Sequence, residues 1–403
     1  MSLAALWNVG FITALDEFQY LNRKGLQPLL SRLQAVIDRA RSIDPQDDDA
    51  FKGGLFTLGS VHTELTAVLE DQASPLFNRA TDTLHIGHWD AATLFEMFRE
   101  HGITDRHHQL FLWSIFEGVP KFYRDCFDQK LLVPGDDHRK ATLRGMFFEG
   151  SSPLKDEADN WFLRELRGRY DSLLTILARL GPSSHGALAA EFARTGPDDA
   201  KQFGAHLKVL VEKYRMVERQ LPVFASEKQR STRYVISDNF LSAWLAALLR
   251  NVRLARIRPI EEAVEKADTA LLAHEGMAFE KFVRQTMEEC SRKGVGDFSL
   301  TDLVRGYWNK ADGSDIEIDV VALDETSQTI RFGCCKRDGD KHDLGIFEGH
   351  IGRFLTTKDG KRHANWSIQK ALYSPAFKAD QRTHYGAKGY ICVDMDDFDR
   401  WLL

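Results

Sequence analysis

The stretch Gly10–Leu21, GFITALDEFQYL, decides how the chain is read. An apolar run closing on Asp16 and Glu17 has the form of a buried strand that delivers two carboxylates at its carboxyl end. That is where parallel sheets bind ligands. In a nucleotide-hydrolysing site such an Asp holds Mg2+ and such a Glu polarises the attacking water. The same two residues could equally cap the helix that follows, whose N-terminus favours anions. Only the neighbouring sequence can choose between these readings.

Working outward, the first segment alternates between strand and helix patterns. Val9–Leu15 reads as a strand, and Leu26–Arg41 has helical apolar spacing through Leu29, Leu30, Leu33, Val36 and Ile37. Gly53–Ser60 (GGLFTLGS) reads as a second buried strand and DTLHIGHW as a third, which predicts a parallel α/β sheet. From Ala91 to about Leu166 the pattern is helical. Three further helices are predicted over Tyr170–Leu180, His185–Thr195 and Asp199–Arg219, followed by the polar, basic ASEKQRSTRYVISD and a short strand. That is the order of a winged helix-turn-helix. A helix from Phe240 to about Asp268 then leads into a last α/β region. There IEIDVVAL and TIRFGCCK flank the hairpin turn DETSQ, and GYICVDM adds a strand.

The 403 residues, 43% apolar and 28% charged, suit a multidomain protein with a real core. No uncharged apolar run reaches the ~18 residues of a membrane span, and no secretory leader opens the chain. Five scattered cysteines make no disulfide framework, so a cytoplasmic location is expected. His85-x-x-His88 and His107-His108 have no companions at zinc spacing.

The motifs in order resemble the archaeal-type ATPases of the AAA+/STAND group. LDEFQYL matches that family's Walker B strand, and Gly59-Ser60 its sensor position. Pro75, Leu76, Phe77, Asn78 and Arg79 match a Pro-Leu-aromatic-Gly-Arg segment, with Asn78 in place of Gly. FEGVPKFY (Phe116–Tyr123) matches a Gly-Gly-Val-Pro-Lys-Tyr stretch of the helical lid, with Glu117 in place of the first Gly. The resemblance implies catalytic roles for Asp16 (Mg2+), Glu17 (water), Ser60 (γ-phosphate sensing) and Arg79 (transition-state charge), with ATP and Mg2+ as cofactors. It implies domains at 1–92 (C-terminal part of an ATPase domain), 93–168 (helical lid), 169–238 (winged helix) and 239–403 (nuclease-like). The expected fold class is thus α/β multidomain: a partial P-loop NTPase sheet, a helical lid, a winged helix and a restriction-endonuclease-like domain.

One part is missing. A P-loop requires G-x-x-x-x-G-K-[ST], and the only Gly-Lys pair is Gly360-Lys361, followed by Arg362 and without a Gly at 355. Either the segment precedes this chain in a longer protein or the protein is a non-hydrolysing relative. In both cases the chain alone is expected to bind ATP poorly.

Residues 201–260 carry 12 Lys/Arg against 4 Asp/Glu, a local +8 within a chain of −6. Such asymmetry fits a DNA-facing surface. Lys201, His206 and Lys208 on the recognition helix, and Lys228, Arg230 and Arg233 on the wing, are the candidate contacts. Arg250, Arg253, Arg256 and Arg258 follow them. Solvated or ion-paired cations are the plain alternative. DNA is the partner expected, with no membrane, and a homo-oligomer is compatible.

At the C-terminus, EIDVVAL followed by FGCCK resembles the PD-(D/E)xK nuclease fold. The resemblance assigns Glu280 as the helix acid, Asp319 as the strand acid and metal ligand, and Lys336 as the lysine. The middle acid position falls on Cys334, and a neutral thiol is a poor ligand for hard Mg2+. Weak or absent nuclease activity is therefore expected, unless Glu317 compensates. Adjacent strand residues face opposite ways, so Cys334 and Cys335 are expected not to chelate one ion. Two rival functions stand beside the ATPase relative: a non-catalytic DNA-binding regulator or adaptor, and a Mg-dependent nuclease.

Overall fold

The computed structural model describes residues 3–23, 25–43, 52–59, 62–155, 169–194, 196, 199–226, 231–310 and 315–403. Contacts divide the chain into two compact units, 1–87 and 88–403.

In the first unit α1 (Leu3–Asn8) leads into β1 (Ile12–Leu15), and α2 (Gln27–Ser42) crosses over to β2 (Gly54–Thr57), which pairs parallel with β1. α3 (His62–Leu69) follows. Trp7, Phe18, Leu30, Leu33, Val68 and Leu76 form its core. The two strands are short and apolar, yet Phe11, Ile12, Phe56 and Leu58 are exposed. Parallel sheets normally cover such side chains on both faces. The predicted third strand, DTLHIGHW, is not one: Thr83–Asp90 has no regular structure, with Leu84 and Ile86 exposed.

The second unit opens with α4 (Ala91–Glu100), α5 (Arg106–Phe116), α6 (Pro120–Asp128) and α7 (His138–Leu143), the last running into a π-turn at Arg144–Phe148. A three-helix segment follows: α8 (Arg169–Leu180), β3 (Ser183–Ser184), α9 (His185–Ala193), α10 (Asp199–Glu212), β4 (Val217–Gln220) and β5 (Arg233–Ile236). Its sheet is antiparallel in the order β3-β5-β4. α10 ends at Glu212 rather than at the predicted Arg219. Arg215 takes φ 53° and turns the chain into β4, where valine at 217 suits a strand.

The helix predicted from Phe240 to Asp268 is broken. α11 (Asn239–Ala243), a π-turn (Trp244–Leu248) and α12 (Leu249–Leu254) end before Pro259, which begins α13 (Ile260–Arg292). Proline has no N–H to donate, so it is tolerated at a helix start and not within. α13 runs 33 residues, well past the predicted end.

Five strands follow: β6 (Arg305–Trp308), β7 (Glu317–Asp324), β8 (Thr329–Cys335), β9 (Ser367–Tyr373) and β10 (Ile391–Val393). β6, β7 and β8 pair antiparallel, while β8, β9 and β10 pair parallel, in the order β10-β9-β8-β7-β6. α14 (Leu344–Thr356) and α15 (Lys358–Arg362) connect β8 to β9; α16 (Ala379–Gly386) connects β9 to β10, and α17 (Met395–Leu402) closes the chain. One face of this sheet joins α4–α13 in a shared core through Val320, Ala322, Cys335 and Tyr373. The other packs Ile318, Val321, Phe332 and Cys334 against Phe347, Ile351 and Phe354 of α14. The two thiols therefore face opposite layers, as alternation requires.

Candidate functional site

Asp16 and Glu17 stand exposed at the carboxyl end of β1. Asp16 Oδ1 accepts the Glu17 N–H at 2.8 Å, Glu17 takes φ 52°, and its carboxylate accepts from the Gln19 amide. Gln19 is buried, and its Oε1 would lie 2.6 Å from a Cβ at position 59. A larger residue at 59 would therefore require the Gln19 side chain to shift. Ser60 lies outside the described residues.

Arg79 is held within its own unit. Its Nε and Nη2 donate to the two Asp38 oxygens at 2.8 and 3.0 Å, and Nη1 donates to the Phe77 carbonyl. A guanidinium engaged on both edges is not free to reach a phosphate until that fork opens. Gly360 cannot act as a phosphate loop: it lies in α15 with its Cα pressed on the Phe354 carbonyl, where an added Cβ would come within 2.1 Å. Among the described residues, neither Arg79 nor Gly360 is placed to grip a phosphate.

Asn78 and Glu117, where the resemblance leads one to expect glycine, both keep a glycine-like backbone. Asn78 has φ 56°, which Asn tolerates better than most residues. Glu117 has φ 50° and ψ −129°, a region that strongly favours glycine. Its carboxylate is buried and anchored: Lys281 Nζ lies 2.7 Å away, His88 Nδ1 3.5 Å, and the Asn239 N–H donates to it at 3.3 Å. Burial would raise its pKa, but His88 and Lys281 outweigh burial and bring it down to about 2. Lys281 also donates to the Ser237 carbonyl.

The second constellation lies where α13 meets β7 and β8. Glu280 and Arg284 project from α13, Glu317 and Asp319 come from β7, and Lys336 follows β8. Arg305 pairs with Val321 but Tyr307 with Ile318, so β7 carries an extra residue across that interval. Accordingly Ile318 and Val320, which regular alternation would place together, belong to opposite cores. Asp319 sits in this bulge, a device that re-aims a side chain. Its Oδ2 accepts the Cys335 N–H at 2.8 Å.

Glu280, Glu317, Asp319, Arg233, Lys281 and Arg284 line one cleft, with a cavity of about 110 Å³. Glu280 keeps 35% of its side-chain surface. Partial burial, then the nearby Asp319 carboxylate, pushes its pKa up, while the Arg284 charge opposes the rise. Burial also raises Asp319. Burial and the Asp319 charge push the Cys334 thiol up to about 12, so it stays neutral. Burial opposes the Lys336 charge, but Asp319 outweighs it and raises the lysine.

Arg284 was not singled out from sequence, although its i,i+4 spacing from Glu280 is a legible signal. It lies 3.7 Å from Glu280 Oε2 and donates to the Asp319 carbonyl at 2.9 Å. Among the described residues, no group of three or more His, Cys, Asp or Glu is arranged to hold a metal ion. The Mg2+ that the nuclease resemblance implies does not fit: one acid is a neutral thiol, and a guanidinium stands beside the others.

Arg233 corrects the expected DNA contacts. Only 9% of its side chain is exposed, its Nη1 pairs with Glu317 at 2.7 Å, and it stacks over Trp308. The segment before it is docked as well: the Val223 N–H donates to the Gly306 carbonyl, and Trp308 Nε1 donates to the Ser231 carbonyl. Lys228 and Arg230 lie outside the described residues, as does the side chain of Lys201. His206 packs edge-on to Tyr170, and its Nδ1 is 2.7 Å from the Gln202 carbonyl. Lys208 is 69% exposed and only loosely paired, 3.7 Å from Glu212. Arg250, Arg253, Arg256 and Arg258 are exposed.

The fold is thus α/β and multidomain, with mixed sheets and many helices, and no described helix is long and apolar enough to cross a membrane. Residues 244–344, which hold Glu280, Asp319, Cys334 and Lys336, match DUF234, a family described as archaeal and bacterial proteins of unknown function. Uncharacterized protein MJECL04 of Methanocaldococcus jannaschii is 27% identical over 326 residues, 80% of this chain and 66% of that protein. The chain therefore spans just under two thirds of that relative's length. Among solved structures, the Walker-type ATPase PABY2304 of Pyrococcus abyssi aligns at 21% identity over 61% of this chain and 68% of that one, with a TM-score of 0.42. The ORC2 protein of Aeropyrum pernix aligns at 17% identity over 65% and 66%, with a TM-score of 0.38.

Proposed function

We propose that the chain is part of an AAA+/STAND-type ATPase relative that binds DNA through a winged helix at residues 169–238. By this reading it lacks the phosphate grip needed to hydrolyse ATP by itself. The observation that carries DNA binding is the order α8-β3-α9-α10-β4-β5 with its β3-β5-β4 sheet, joined to the +8 charge of residues 201–260. α10 is the recognition helix, and Lys208, Lys213, Arg215 and Arg219 give its exposed end and the following strand their cations. Because the base of the wing is docked on β6, phosphate contact falls to the helix more than to the wing.

The ATPase side of the reading is supported by β1 and β2 pairing in parallel, by the strand-end Asp16-Glu17, and by the glycine-like backbones of Asn78 and Glu117. Asp16 is the Mg2+ residue and Glu17 the water-polarising residue, Ser60 the sensor, and Arg79 the cation released from Asp38. Each acts only once a P-loop segment supplies the phosphate grip. ATP and Mg2+ are then the cofactors.

Fluorescence anisotropy of a labelled duplex with the full chain tests DNA binding. Affinity should fall linearly on a log–log plot against salt, and Lys208→Glu should weaken it for all sequences alike. No binding at low salt, or binding indifferent to salt, would overturn the reading. Nucleotide titration of this chain should show no saturable ATP binding.

A further inference from the structure

We propose that Arg284 is a built-in counter-ion for the Glu280 carboxylate, anchored on the Asp319 backbone, so that the acids of this cleft are served by cations of the chain and do not form a magnesium centre. The proposal does not depend on DNA binding.

Three observations converge on it. The acid that would complete a metal-binding set is Cys334, whose side chain packs with Phe332 and Ile351 in the outer core layer. The bulge turns Asp319 so that one carboxylate oxygen is already taken by the Cys335 N–H, removing a lone pair a metal would use. Arg284 then reaches in from α13, one helical turn beyond Glu280, placing a guanidinium 3.7 Å from Glu280 and 2.9 Å from the Asp319 carbonyl. A guanidinium carries its charge permanently, and the bond to the Asp319 backbone carbonyl fixes that charge beside Glu280. Arg233 adds a second cation at the rim by pairing with Glu317, the acid that could otherwise have compensated for Cys334. With Lys336 near Asp319, each acid in the cleft has a cation belonging to the chain. Placing a divalent ion there would set it against a fixed positive charge at short range.

The test titrates Mn2+ into the full chain and follows the electron paramagnetic resonance signal of the free ion. The unmodified chain should bind no Mn2+ at a site sensitive to Asp319→Asn. Cys334→Asp alone should bind none either, because the Arg284 charge still stands against Glu280. Arg284→Met combined with Cys334→Asp should gain Mn2+ affinity by about tenfold or more, and Asp319→Asn should abolish the gain. Two results would overturn the proposal: Mn2+ bound by the unmodified chain or by Cys334→Asp alone and lost with Asp319→Asn, or a double variant with native near-ultraviolet dichroism that gains nothing. If the double variant fails to fold, Arg284→Gln combined with Cys334→Asp takes its place, with the same gain expected and the same absence of gain overturning the proposal.

Discussion

Glu117 combines two opposed effects whose sizes can be separated by substitution. Its backbone sits at φ 50° and ψ −129°, and a conformation so sparsely populated costs ~1–3 kcal/mol for a residue with a Cβ. Against this stands a buried carboxylate with a lysine at 2.7 Å. The gap between the ordinary 4.5 and about 2, at ~1.4 kcal/mol per pH unit, amounts to ~3 kcal/mol in favour of the charged, folded state. Lys281→Met leaves the carboxylate buried without its cation and should cost ~3–5 kcal/mol. Glu117→Gly removes the charge and relieves the backbone together, so its cost should be ~0–2 kcal/mol. Glu117→Ala loses the charge but keeps the Cβ, and should fall ~1–2 kcal/mol below Glu117→Gly. Urea denaturation of each full-length variant, followed by tryptophan fluorescence, gives these differences directly.

The pH dependence has a definite sign. Because the folded pKa is depressed, the stabilisation from Glu117 is complete above the ordinary 4.5 and drains away as pH falls towards about 2. The gap between wild type and Glu117→Gly should therefore shrink across that window. Equal stability of Glu117→Ala and Glu117→Gly would refute the backbone argument. A cost below ~1 kcal/mol for Lys281→Met would refute the buried-pair argument.

Two further substitutions bear on the fold. Arg331 is buried in β8, donating to Asp297 at 2.9 Å and to Gln369 at 2.9 and 2.7 Å, and stacking over Phe298. Arg331→Met should cost ~2–3 kcal/mol in urea denaturation, less than a fully buried pair because Asp297 can still hydrate, and Arg331→Lys should not rescue it. In the first unit Asn78→Gly should leave the melting temperature nearly unchanged, while Asn78→Ala should destabilise by ~1 kcal/mol, since alanine resists φ 56°.

Local pattern made much of this chain legible. The apolar runs at β1, β2, β7 and β8, the DETSQ hairpin and the three helices of the middle segment are all short-range features. Residues a few positions apart decide them, so periodicity and turn chemistry suffice. The opposite facing of Cys334 and Cys335 followed from strand alternation in the same way. Where the sequence misled, the deciding partner was distant. Arg233 reads as a wing cation, but Glu317 and Trp308, more than seventy positions on, draw it inside. DTLHIGHW has strand composition and no neighbouring strand among the described residues to pair with.

What the sequence determined by itself was the identity and order of the chemical groups: Asp16-Glu17 without a Gly-Lys-Ser/Thr partner, Asn78 and Glu117 at glycine positions, and a thiol where an acid was expected. What only the tertiary structure decided was which charges meet. The bulge that turns Asp319, the helical turn that brings Arg284 beside Glu280, and the convergence of Lys281 and His88 on Glu117 all depend on α13 lying across the sheet and the helices at once. Electrostatic interaction depends on distance and burial, and sequence separation fixes neither until the chain has packed.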